Sequence, residues 1–172
     1  LLFRRRMSKY YKILKQVLKE IKPDKGLPEA KDFLYRLNKQ LKKNKIKAKA
    51  VLGGSFAKGT WLKEDYDVDV FAAFDLKHKN EDLSRMLEKA LTQWKPLRVK
   101  GSRDYFQIKN KIQFEIIPVL AVKKPSDAEN VTDFSIWHED WTNKHGKKQK
   151  QYIMLFKKFS KSQRVYGAQS YI

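Results

Sequence analysis

Residues 51–75 read VLGGSFAKGTWLKEDYDVDVFAAFD, and this stretch decides the fold. It opens on apolar residues, breaks at Gly53-Gly54-Ser55, and returns after a polar loop as an apolar segment that carries Asp67 and Asp69. Two adjacent glycines let a backbone turn sharply and come close to a ligand. The pattern predicts a strand, a tight phosphate-binding turn and a second strand that binds metal.

The predicted turn has the features of an anion site. Residues 46–52 alternate apolar side chains and lysines before it, which is typical of a half-buried strand. Ser55 to Lys58 can begin a short helix, and the free N–H groups at a helix start bind anions. With the Ser55 hydroxyl beside them and the Lys58 charge one turn later, we expect Gly54, Ser55 and Lys58 to hold a phosphate group.

The second predicted strand, residues 68–74, is preceded by one carboxylate and contains another. Side chains alternate between the two faces of a strand, so Asp67 and Asp69 leave the same face. Neighbouring carboxylates repel each other unless a cation lies between them, and Mg²⁺ prefers such oxygen ligands. Gly-Gly-Ser alone is usually a simple turn and Asp-x-Asp alone usually lies in a solvated loop. The joint pattern is more specific and suits phosphoryl or nucleotidyl transfer.

The composition of the chain indicates which kinds of partner the protein can have. The chain has 172 residues, 20.4 kDa and a net charge of +20, which fits one domain and points to a polyanionic partner, most often nucleic acid. A basic protein with scattered charge is the alternative. The sequence has no cysteine, which excludes disulfides and thiolate metal sites. No apolar run reaches membrane-spanning length, so we expect a cytoplasmic protein with no membrane partner.

The remaining pattern predicts an α+β fold, a mixed β-sheet flanked by helices with basic helices at both ends. Helices are predicted at residues 8–22 (capped by Ser8), 28–43, 80–94 and 143–160, the last with Tyr152, Ile153, Phe156 and Phe159 facing inward. A hairpin is predicted from residues 104–108 and 112–117, followed by a loop between Pro118 and Pro125.

Glu115 is an acidic residue inside an otherwise apolar predicted strand. A buried carboxylate without a partner is costly. Glu115 is therefore either a further site carboxylate or a surface residue of an edge strand.

The string GSFAKGTWLKEDYDVDVF, residues 54–71, resembles the signature of the nucleotidyltransferase superfamily, which has the polymerase-beta-like fold. Its Thr60-Trp61-Leu62 is similar to the archaeal-type (class I) tRNA CCA-adding enzymes in particular. The resemblance implies that Asp67, Asp69 and Glu115 are catalytic and bind two Mg²⁺ ions, although the family usually has Asp where Glu115 stands.

Two later segments extend the resemblance. Residues 131–141, VTDFSIWHEDW, resemble the family segment DRTPFHxxW, with Asp133, His138 and Trp141 in register and Phe134 in place of the arginine. The resemblance implies that Ser135 and His138 contact the nucleoside triphosphate, and that Lys157 and Tyr166, the latter in Val165-Tyr166-Gly167-Ala168, hold its phosphates. The residues alone leave a structural role for His138 and a generic basic helix around Lys157 open.

The resemblance implies a metal-dependent enzyme that adds nucleotides from CTP and ATP to an RNA 3′ end, with tRNA as the expected partner. Residues 1–172 would form one catalytic domain, with 143–172 beginning the helical region that follows it and the later tRNA-binding domains of the family absent. We expect a fragment, half of a split enzyme or a minimal transferase, with Met7 as a plausible start.

Three other functions remain open at this point. They are synthesis of oligoadenylate or cyclic dinucleotides, unselective RNA tailing, and a non-catalytic RNA-binding subunit. A partner chain or a second copy is expected if the basic C-terminal helix exposes an apolar face.

Overall fold

The computed structural model describes residues 2–23, 26–63, 65 and 67–167. These form the predicted α+β fold. The helices are α1 (Leu2–Ile21), α2 (Pro28–Lys43), α3 (Gly54–Lys58), α4 (Leu83–Leu91), α5 (Ser135–His145) and α6 (Lys150–Ser162). The strands are β1 (Ala48–Leu52), β2 (Asp67–Phe74), β3 (Leu97–Val99), β4 (Tyr105–Lys109) and β5 (Gln113–Leu120).

The five strands form one mixed sheet in the order β1-β2-β5-β4-β3. Strands β2 and β5 run parallel, whereas the other neighbours are antiparallel. The two strands that carry the predicted site carboxylates are therefore adjacent at the centre of the sheet, although β3 and β4 lie between them in the sequence.

The main core lies between one face of the sheet and the helices α2 and α4. Alternate residues of β2 and β5 are buried here because a strand sends every second side chain to the same face. Phe33 of α2 stacks on Phe114 of β5 with ring centroids 4.1 Å apart. The helical spacing of α2 predicts that Ala30, Phe33, Leu34, Leu37 and Leu41 face the core. All are buried except Leu34, which is partly buried against it. The odd-numbered residues of β2, including Asp67 and Asp69, face the opposite side.

Helices α3 and α5 pack together on the carboxylate side, and α1 packs on α6. A small second core joins Ile21, Leu62 and Met154, with Val17, Leu18 and Leu155 at its border. Among the described residues, no helix combines the length and the apolar character needed to cross a membrane.

The predicted start of the first helix and the predicted end of the hairpin were wrong. Helix α1 begins at Leu2, so Ser8 lies inside the helix and does not cap it. Strand β5 continues through Pro118 to Leu120, where a loop was expected. Pairing with β4 ends at Ile116, so Pro118 lies beyond the part of β5 that has a strand on both sides. A proline without an N–H is tolerated at such a position.

The single helix predicted for residues 143–160 is two helices. Gly146 ends α5, and its N–H bonds the carbonyl of Thr142; α6 then starts at Lys150. The beginning of the predicted third helix was also placed too early, because Asp82 caps α4 by accepting a hydrogen bond from the Arg85 amide at 2.9 Å.

The inward side of α6 was misassigned. Tyr152, Phe156 and Phe159 are 69%, 57% and 60% exposed and form one outward aromatic stripe at helical spacing. Met154 is buried instead, because the adjoining face of α6 packs against α1. The basic C-terminal helix therefore exposes an apolar face.

Candidate active site

The glycine turn before α3 is locked onto strand β2. The Gly53 amide donates to the Asp69 carbonyl at 2.8 Å. Gly54 has φ +58°, and a Cβ atom built on it would overlap the Asp69 carboxylate. A Cβ on Gly53 would lie 2.7 Å from the ring of Phe71. Both positions therefore need glycine, because the turn passes directly against the side chains of β2.

The three predicted carboxylates lie on the same side of the sheet. Asp69 is the register partner of Glu115, and Asp67 is the partner of Gln113. Glu115 accepts hydrogen bonds from Gln107 at 2.8 Å and Gln113 at 3.4 Å. Glu115 therefore lies on a central strand and not on an edge strand, and its carboxylate has polar partners.

Burial and like charge act together on Asp69. Burial raises the pKa of Asp69 most, and the charges of Glu115 and Asp67 raise it further. The charges of Lys58 and Lys157 oppose part of this rise in pKa. An added cation between these carboxylates would relieve the same repulsion.

This donor set fits a divalent cation in its chemistry. Carboxylate oxygens on one face of a sheet are the hard ligands that Mg²⁺ prefers, usually completed by water and substrate phosphates. No three acidic or histidine side chains among the described residues already converge into a finished metal site. The protein oxygens would therefore supply part of a coordination shell, with Asp67, Asp69 and Glu115 as the candidates.

A cleft of about 480 Å³ opens beside these carboxylates. Its lining includes Gly54, Ser55, Lys58, Asp67, Asp69, Lys157 and Tyr166, all of which were predicted site residues. Four further residues line it and were not predicted: Thr60, Asp65, Ile153 and Lys161. The Lys161 position could have been found, because it follows Lys157 by four residues and so shares its helix face. Asp65 was overlooked as one more acid in a charged loop.

Helix α5 places a different residue at the site from those expected. Ser135 and His138, both described, are not among the residues that line the cleft. Glu139, one position further, is buried and accepts a hydrogen bond from the Gly54 amide. Burial raises the pKa of Glu139 to about 7, with smaller upward contributions from the charges of Asp69 and Asp140. Nothing in the spacing of residues 131–141 singled out Glu139.

Asp133 has a structural position in this fold. Its buried carboxylate pairs with Arg103 and accepts the backbone amides of Leu120, Glu129 and Asn130 at 2.8–3.0 Å. These bonds join the end of β5 to the segment that leads into α5. The resemblance also rested on the segment Val165-Tyr166-Gly167-Ala168. Its Tyr166 lines the cleft, whereas Ala168 lies outside the described residues.

Comparison with known proteins bears on the family of the chain. Residues 34–144 match the family described as "Nucleotidyltransferase domain". The chain is 39% identical over 124 residues to a CCA-adding enzyme of Nanoarchaeum equitans, a match that covers 70% of this chain and 31% of that protein. It is 29% identical over 176 residues to a CCA-adding enzyme of Pyrococcus horikoshii, covering 93% of this chain and 38% of that one. The chain thus spans between about a third and two fifths of these curated relatives.

Solved structures share the fold at lower identity. A structure of the Cid1 poly(U) polymerase with Mg and 3′-dATP matches with a TM-score of 0.68 and 19% identity, over 92% of this chain and 49% of that chain. CdnC of E. coli MS115-1 with ATP matches with a TM-score of 0.53 and 20% identity, over 79% of this chain and 51% of that chain. These likenesses are evidence for the fold alone.

Proposed function

This chain belongs to the nucleotidyltransferase domain family, and we propose that it is a metal-dependent RNA nucleotidyltransferase that adds nucleotides from CTP and ATP to an RNA 3′ end, most specifically that of tRNA. The observation that carries the proposal is the cleft in which Ser55, Lys58 and Lys157 face Asp67 and Asp69. The CCA-adding relatives and the net charge of +20 support RNA as the acceptor.

The cleft is lined by three lysines, Lys58, Lys157 and Lys161, and by three aspartates, Asp65, Asp67 and Asp69. Lys58, Lys157 and Tyr166 would hold the β- and γ-phosphates of a nucleoside triphosphate together with the Ser55 hydroxyl. The Gly54 amide, which was expected to join them, donates to Glu139 in this structure. The α-phosphate and the RNA 3′ oxygen would meet beside Asp67 and Asp69; Glu115, the register partner of Asp69, does not itself line the cleft.

We propose that Asp67, Asp69 and Glu115 hold two Mg²⁺ ions. When bound, such ions lower the cost of charge on the attacking and leaving oxygens. The residues of the chain position the phosphates and stabilise negative charge, and no covalent protein intermediate is needed. Lys58 and Lys157 remain available to neutralise the departing pyrophosphate.

Binding to RNA would rest mainly on backbone phosphates. Lysines are abundant in α1, α2 and α6, and counterion release makes such binding strongly salt-dependent. The aromatic stripe of α6 supports association with a partner chain or a second copy. We also propose a cytoplasmic location, on the basis of the likeness to archaeal CCA-adding enzymes.

Primer extension tests this function. A 5′-labelled tRNA ending at its discriminator base is incubated with Mg²⁺ and with CTP and ATP, singly and together, beside the double variant Asp67→Ala/Asp69→Ala. Addition of C, C and then A by the wild type alone would support the CCA-adding form. Long or unselective tails would support RNA nucleotidyltransferase activity but would contradict selectivity for CTP and ATP. Lack of extension of tRNA and of generic RNA would overturn the proposal, and acid-stable oligonucleotides made from ATP alone would replace it with second-messenger synthesis.

A further inference from the structure

Asp65 is a buried acid that lines the cleft and pairs with two of its lysines. Its relative exposure is 9%, and it precedes the site carboxylate Asp67 by two residues. One carboxylate oxygen accepts the Leu62 amide at 3.0 Å and the Lys157 ammonium at 3.2 Å, and the other pairs with the Lys161 ammonium. One acid thus holds two cations that both line the cleft.

The surroundings fix Lys157 more fully than a surface ion pair would. Its ammonium also donates to the Thr60 carbonyl at 3.3 Å, so Asp65 and Thr60 occupy two of its three donors. The Lys157 side chain is only 12% exposed. No other acceptor for this ammonium is found in the part of the chain that the structure describes, so the third donor can serve an anion in the cleft.

Lys161 shares this arrangement. It lies one helical turn after Lys157, so Ile153, Lys157 and Lys161 form one face of α6 along the cleft. The Tyr166 ring lies 5.9 Å from the Lys157 ammonium and 5.4 Å from that of Lys161, measured to the ring centroid. Both lysines are therefore held between a carboxylate and an aromatic ring.

The charges that line the cleft balance when no cation is bound. Lys58, Lys157 and Lys161 carry three positive charges, against three negative charges on Asp65, Asp67 and Asp69. The Mg²⁺ ions proposed at Asp67 and Asp69 would leave the lysines in excess, while Asp65 reduces the repulsion between the two lysines that it holds. Lysine side chains lose considerable rotamer freedom when they bind a ligand, and a fixed partner reduces that loss on binding.

We propose that Asp65 is a positioning residue that holds Lys157 and Lys161 as a cation pair for the β- and γ-phosphates of a nucleoside triphosphate, with Lys161 as a phosphate-contacting side chain. This inference rests on the proposed function and deepens it. It predicts that the cleft prefers polyphosphates to monophosphates, because only a polyphosphate has further phosphate groups that can contact the two lysines.

The test separates phosphate binding from RNA extension. Binding of inorganic tripolyphosphate, with Mg²⁺ present, is measured by calorimetry for the wild type, Asp65→Asn, Asp65→Glu and Lys161→Met. We expect about tenfold weaker binding for Asp65→Asn and for Lys161→Met, and partial recovery for Asp65→Glu. Nucleoside monophosphate binding should change less than twofold. The control Asp32→Asn removes the same charge from an exposed position on α2 and should leave both unchanged.

Steady-state kinetics provide a second measurement. Asp65→Asn should raise the KM for the triphosphate about tenfold with kcat altered less than threefold, because the residue acts on binding and not on the reacting atoms. Since Asp65 acts partly through Lys161, the double variant Asp65→Asn/Lys161→Met should lose less than the product of the single losses. Lys161 is partly exposed, so its variant remains informative if Asp65→Asn folds poorly.

The outcomes distinguish the two proposals. Tripolyphosphate affinity that depends on Asp65, in a protein that extends no RNA, would support the inference and reject the proposed function. RNA extension with unchanged tripolyphosphate affinity in Asp65→Asn and Lys161→Met would reject the inference alone. Tighter binding by Asp65→Asn would also reject it, because Asp65 would then compete with the phosphates.

Discussion

Asp69 of β2 and Glu115 of β5 are direct register partners on adjacent parallel strands. Burial raises the pKa of Asp69, and the nearby negative charge of Glu115 raises it further. A cation held by these carboxylates, as proposed above, would offset this rise in pKa. This relationship predicts a conflict between stability and activity at position 69.

Replacing Asp69 by asparagine should abolish nucleotide transfer while leaving the protein as stable or more stable. Asparagine keeps the size of the side chain and removes a carboxylate whose pKa is raised in the folded state. Thermal unfolding in EDTA at pH 7.5 should show a Tm that is unchanged or higher. A gain of about 1 kcal/mol in unfolding free energy would raise the Tm by a few degrees. RNA extension should fall by at least about 10³-fold, because a proposed metal ligand is lost. A Tm several degrees below the wild type would contradict this account.

Gly54→Ala should damage both the fold of the turn and the activity. The residue has positive φ, and its Cβ would overlap the Asp69 carboxylate. We expect about 1–3 kcal/mol lower unfolding free energy in urea and loss of RNA extension. Gly26→Ala is the matched control, because a Cβ there meets nothing within 4 Å. Equal effects of the two substitutions would show that the turn tolerates a side chain.

Glu139 predicts a pH dependence of stability. Its pKa is raised to about 7 from a model-peptide value of 4.5, so the folded state binds its proton more tightly than the unfolded state does. Its contribution to stability is full below about pH 4.5 and is lost as the pH rises through about 7. Glu139→Gln keeps an acceptor for the Gly54 amide and cannot ionise.

The measurement is the difference in Tm between Glu139→Gln and the wild type from pH 5 to pH 8 in EDTA. The variant should gain relative stability as the pH rises, with most of the change between pH 5 and 7.5. His138→Gln, on the exposed side of the same helix, is the control. A difference that stays constant across this range would show that Glu139 is not protonated near neutral pH.

The two faces of α6 should respond oppositely to truncation. Met154 is buried against Ile21 and Leu62, so Met154→Ala should cost about 2–5 kcal/mol of unfolding free energy. Phe156 is 57% exposed, so Phe156→Ser should cost less than about 1 kcal/mol in the isolated chain. Urea unfolding of both variants provides the comparison. A large loss in Phe156→Ser at low protein concentration would mean that the stripe is covered within the chain itself.

The sequence predicted those parts of the fold whose signals are local. The glycine turn, the Asp-x-Asp strand and helix α2 follow from residue spacing, and Asn44 ends α2 as expected. The break at Gly146 was readable in principle, because glycine commonly ends a helix. The three-residue strand β3 was missed because so short a segment carries no periodicity.

The parts that could not be predicted depend on neighbours distant in sequence. An aromatic stripe at helical spacing looks the same whether it is buried or exposed, and only the position of α1 decides that Met154 is the core residue of α6. The partners of Asp65 and Glu139 are on segments about 80 to 100 residues away. A loop acid and a helix acid carry no mark of such contacts.

The order of the strands has a consequence for synthesis of the protein on the ribosome. Of the described strands, β5 is made last, yet it lies in the middle of the sheet between β2 and β4. Before it is made, the only described neighbour that β2 can have in the sheet is β1, and Glu115 is not yet beside Asp69. The lysines of α6 are made later still. We therefore expect the proposed nucleotide site to be complete only when nearly all of the described domain has left the ribosomal exit tunnel.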